Sequence, residues 1–90
     1  MNSSNILLNN VKKRKEYLEI ESSKAKKQLK EAESSVSNLK YEINSRTDKT
    51  RQEFFNLKYD LGSLQDFLVS RNLMIRNILL ELEGLTKIIN

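Results

Sequence analysis

The chain predicts an all-α fold: a long helix forming a coiled coil, with a parallel oligomer as the preferred arrangement and an antiparallel helical hairpin as the alternative. Three observations carry this. Apolar residues recur at alternating steps of three and four along two separate stretches. The 90 residues include no Pro and only two Gly, too little punctuation for hairpin turns, sandwiches or barrels. Charged residues make up 31% and hydrophobic ones 38%, a balance that suits long solvated helices with one narrow apolar stripe.

The first block covers residues 5–43. With Leu8 as heptad position a, eleven a and d slots run to Ile43, and nine hold apolar residues. Leu8, Val11, Leu18, Leu29, Val36, Leu39 and Ile43 are its larger members, and Ala25 and Ala32 its small ones. Lys15 and Ser22 break the stripe. A period of 3.5 keeps one line of side chains facing a partner helix, which is the signature of a coiled-coil seam. Small or charged seam residues bury little apolar surface, so this block is expected to be the weaker zipper.

Residues 44–53 form a polar decade, Asn44 to Glu53, without one apolar side chain. The step from Ile43 to Phe54 is eleven residues instead of seven or fourteen, a stutter that relaxes the left-handed supercoil if one helix runs through it. The same decade also suits the loop of a hairpin. Thr50-Arg51-Gln52-Glu53 followed by Phe54 has capping-box spacing, which would start a second helix there. The decade lacks Gly and Pro, the usual helix stops.

The second block, 54–89, repeats the heptad with ten of eleven slots apolar. Leu57, Leu61, Leu64, Leu68, Ile75, Ile78, Leu82, Leu85 and Ile89 follow Phe54, and Arg71 is the one break. Phe67 and Met74 at g positions widen the stripe, while Phe55, Tyr59, Val69, Leu73 and Leu80 fall on the outer b and f positions. Apolar residues on nearly every face predict burial against more than one helix. This block is therefore expected to carry the oligomer or partner interface, through Leu57, Leu61, Leu64, Phe67, Leu68, Arg71, Met74, Ile75, Ile78, Leu82, Leu85 and Ile89. A lone seam Arg such as Arg71 sets register or oligomer state in coiled coils.

Charge pairing bears on orientation. In parallel in-register chains Arg14 meets Glu19, Glu21 meets Lys26 and Glu53 meets Lys58, all attractive. In a hairpin Arg14 meets Glu81, but Lys40 faces Lys58 and Glu42 sits near Glu53. The count favours parallel chains and one continuous helix of about 130 Å, against blocks of about 54 Å each in a hairpin.

Most chemistry is excluded by absence. No His or Cys occurs, which removes an imidazole base, a thiolate nucleophile, a disulfide and the usual zinc set. Glu31 with Glu33, and Glu81 with Glu83, stand two apart, so on a helix they point different ways. No Gly-rich phosphate loop exists. The chain is expected not to be an enzyme and to need no cofactor or metal.

Residues 1–51 carry twelve basic side chains against seven acidic, and the sharpest run is Lys12, Lys13, Arg14 and Lys15. A basic-region reading would make this a nucleic-acid or anionic-surface contact. Glu16, Glu19 and Glu21 interrupt the positive face, and Leu8, Val11 and Leu18 put a seam within it. The run follows a short apolar stretch, the reverse of a secretory signal, and no segment reaches the ~20 apolar residues of a membrane span. The expected function is structural: an intracellular protein, cytoplasmic or nuclear, that oligomerises with itself or with helices of another protein as scaffold, tether or subunit. Nucleic-acid or anionic-surface binding through the basic half is the alternative.

Overall fold

The computed structural model describes residues 2–45 and 48–89, and these form two long helices folded back on each other. Helix α1 spans Asn2–Ser45 and helix α2 spans Arg51–Ile89. The hairpin is a rod of 72 × 16 × 14 Å with a radius of gyration of 20.2 Å. A helix of 44 residues is itself ~66 Å long, so the rod is one helix in length. The preferred expectation of one continuous helix is corrected. The chain turns back inside the polar decade, and each seam finds its partner within the same molecule.

Local chemistry accounts for the break without Gly or Pro. At the end of α1 the Ser45 hydroxyl donates back to the Tyr41 carbonyl at 2.6 Å, a bond one turn back that competes with the backbone ladder and weakens the helix where it ends. Five residues later the Thr50 hydroxyl accepts from the Glu53 backbone N–H at 3.2 Å and donates to its carboxylate, also at 3.2 Å. The Thr50 carbonyl takes the first helical bond, from the Phe54 N–H at 3.0 Å. Thr50 is thus the N-cap of α2, at the place its spacing indicates. Arg46 and Thr47, within the polar decade, lie outside the described residues.

The antiparallel register is read from one pair. Arg14 on α1 reaches Glu81 on α2, with Nε to Oε2 at 2.7 Å. Counting toward the turn, the same register brings Glu42 level with Glu53, the like-charge contact that told against a hairpin. A third residue resolves it. Lys49, from the connection, places its ammonium 3.2 Å from Glu42 Oε1 and 3.8 Å from Glu53 Oε2. Lys40 and Lys58 are both exposed, where water keeps their repulsion small. The e and g charges favour parallel chains only as long as Lys49, which lies on neither seam, is left out.

All eleven seam positions of α1 and all eleven of α2 are buried or half-buried. The deepest are Leu18, Ser22, Ala25, Ala32, Val36 and, on α2, Ile78. Burying a side chain such as Leu18 is worth ~1.5–3 kcal/mol. Ala25, at 1% exposure, is the most enclosed of these. By the Arg14–Glu81 register, residues 22–25 come level with 70–73. The small Ser22 and Ala25 therefore make room on the seam for the long side chain of Arg71.

Candidate assembly surface

Most of the residues expected to form an interface lie along the two facing seams of the hairpin. The seam of α2 faces α1: Ile78 is buried, and Leu57, Leu61, Leu64, Leu68, Arg71, Ile75, Leu82, Leu85 and Ile89 are half-buried. On α1, Leu18 and Val36 are buried while Leu8, Val11, Leu29, Leu39 and Ile43 are half-buried. Two helices enclose a seam on two sides only, so most of the larger side chains keep an edge in solvent, whereas the small Ser22, Ala25 and Ala32 are buried beside Leu18, Val36 and Ile78.

Arg71 forms a local cluster at the seam edge. Its guanidinium lies 4.7 Å from the centroid of the Phe67 ring, and Nη1 approaches the Met74 sulfur at 3.4 Å. Both neighbours share its helix face, at i−4 and i+3, and both are half-buried. The Arg71 Nε is enclosed without a hydrogen-bond partner. The cation is held over an aromatic face rather than by a carboxylate, a weaker compensation for its partial burial.

The basic run is split by the fold. Arg14 is committed to Glu81 and lies 5.3 Å from the Tyr17 ring centroid. Lys15 is half-buried on the seam, 4.0 Å from Glu19. Lys12 and Lys13 are exposed. The hydrogen bond to Arg14 holds the Glu81 carboxyl below its usual range, and the same bond raises Arg14. The effect is structural, since both groups satisfy each other.

The outside of α2 is the surface with chemistry left over. Phe55, Tyr59, Val69, Leu73 and Leu80 are exposed, Tyr59 at 69%. They fall on one exposed stripe at steps of four and three outside the seam, and at its middle Val69 and Leu73 border an open groove shared with Arg14 and Leu18 of α1. The c positions beside that stripe, Asn56, Ser63, Ser70, Asn77 and Gly84, are small or slim and carry no charge. On α1, Ile6, Ile20 and Tyr41 are also exposed, at f positions outside the apolar stripe. Lys49, a loop cation, gives no periodic signal.

Among the described residues, no group of three or more His, Cys, Asp or Glu is placed to hold a metal ion. No helix of the described residues is long and apolar enough to cross a membrane. The chain matches no protein-family profile, no curated protein and no solved structure.

Proposed function

We propose that this protein is a structural or assembly component that works by helix–helix association, as a scaffold, tether or subunit of a larger helical complex. The observation that carries the reading is the outer stripe of α2. A hairpin of two helices satisfies its seam internally and still presents Phe55, Tyr59, Val69, Leu73 and Leu80 to water. Large apolar residues aligned on one helix face mark an interaction surface. Coiled-coil packing extended over more than two helices would cover them. The split basic run supports this reading over nucleic-acid binding, since Arg14 and Lys15 are engaged within the hairpin.

The test is the solution mass of the full chain over a concentration series, with helicity followed in parallel. Mass above one chain, with melting temperature rising with concentration, is the expected result. A single-chain mass at every concentration up to millimolar, with concentration-independent melting, would overturn the reading.

A further inference from the structure

We infer that the partner covering the outer stripe of α2 is a second copy of this chain, packed antiparallel about a two-fold axis that passes level with Arg71. The inference rests on the assembly reading above and names its partner and register.

Charge complementarity selects the partner. A two-fold axis level with residue 71 sets Asp66 of one copy against Arg76 of the other, and by symmetry this happens twice. Both side chains are exposed in the hairpin, on the stripe itself. The same operation places Val69 on Leu73 at the centre, an apolar contact flanked by the two ion pairs. Farther out Tyr59 meets Glu83 of the second copy, a phenol opposite a carboxylate. At the ends Phe55 meets Lys87, an aromatic ring opposite an ammonium. No like charges face each other along the stripe.

Alternative self-pairings do worse. In a parallel pair each charge meets its own copy, Asp66 on Asp66 and Arg76 on Arg76. Moving the axis toward the C-terminus by half a heptad slides the helices one heptad and sets Asp66 against Glu83. The opposite slide sets Asp66 against Val69 and leaves its charge unpaired.

Gly62 supplies an independent observation. It lies within α2, where Gly costs about 1 kcal/mol relative to Ala. Nothing in the hairpin lies within 4 Å of where its Cβ would be, so α1 does not require it. The two-fold register brings Leu80 of the second copy onto Gly62, a large side chain onto a missing one. The slim uncharged residues at the c positions flank the same contact and allow close approach of the two helices.

The area suffices. From Phe55 to Lys87 the stripe runs ~48 Å, and with a helix width of ~10–12 Å the footprint is roughly 500–600 Å² per chain. Counted on both chains this falls at the lower end of specific interfaces, consistent with a reversible dimer. The product is a four-helix assembly with the two α2 helices at its centre and the basic α1 helices outside.

Charge reversal tests it on the full chain by sedimentation. Asp66→Arg and Arg76→Asp should each weaken dimerisation roughly tenfold, since each turns two attractive contacts repulsive. The double variant should return to within about threefold of the parent, because the pairs are restored in reverse. Ser70→Cys, close to the axis, should link two chains with a short bis-maleimide, whereas Ser34→Cys on the outside of α1 should not. Gly62→Ala should raise hairpin stability yet weaken the dimer. Association indifferent to both reversals, or not rescued by the double variant, overturns this face and register while leaving the assembly reading intact. A chain monomeric at all concentrations overturns both.

Discussion

Arg14 and Glu81, 67 residues apart in sequence, meet through two hydrogen bonds: Nε to Oε2 at 2.7 Å and Nη2 to Oε1 at 3.2 Å. This two-pronged contact fits only one register of the hairpin, because sliding either helix by one turn (~5.4 Å) would break it. Both side chains are about half exposed, so the pair orients the helices more than it stabilises them.

The pair should show in a pH titration. Glu81 is held below its usual range in the folded chain, so its contribution is present above the unfolded value of about 4.3. It is lost as pH falls through the lower folded value. The parent should melt above Glu81→Gln at neutral pH, and the two should converge in strong acid. A gap that stays constant from neutral pH to about pH 2 would assign the difference to something other than this carboxylate.

Removal of Lys49 should destabilise the turn. Its ammonium stands between Glu42 and Glu53, and its side chain is only 14% exposed. Lys49→Met should lower stability by roughly 0.5–1 kcal/mol at low salt, less at high salt as the two carboxylates are screened from each other. A loss equal at both ionic strengths would indicate packing and not charge.

Thr50→Ala removes the N-cap of α2 and should cost about 1 kcal/mol. Hydrogen exchange should report it locally, with faster exchange at Glu53 and Phe54 and little change at the far end near Ile78. Uniform loss of protection would mean that the cap governs the whole hairpin rather than its first turn.

Arg71→Leu should stabilise the chain by roughly 1–2 kcal/mol, because it removes an enclosed Nε without a partner. Phe67 and Met74 would then pack against an aliphatic side chain. Thermal melting of the two proteins decides this, and a lower midpoint for Arg71→Leu would show that the stacking on Phe67 outweighs the unmet donor.

Ala25→Asp and Leu68→Asp separate depth from bulk. Small seam residues offer little apolar surface, yet Ala25 is nearly sealed and Leu68 keeps an edge in solvent. The carboxylate at residue 25 should therefore destabilise the hairpin by at least as much as the one at 68. Denaturant midpoints for the two variants give the order directly.

Much of this molecule is legible before folding. The alternation of threes and fours from Leu8 to Ile43 and from Phe54 to Ile89 picks out the central line of the helix contact, because a helix buries one stripe against one neighbour, while Phe67, Met74 and the Arg14–Glu81 pair flank it. Thr50 and Glu53 mark the start of α2 because a helix N-terminus needs a side-chain acceptor at that spacing. The direction of the partner helix was not legible. The e and g charges alone favour parallel chains, and Lys49, a cation outside either stripe, reaches both Glu42 and Glu53 only once the chain has turned. The depth of Ser22, Ala25 and Ala32 also follows from the folded arrangement, since how far a small side chain is covered depends on the bulk opposite it. Periodicity is a property of one helix and survives in its sequence. Orientation and depth are properties of two helices together, and exist only when they meet.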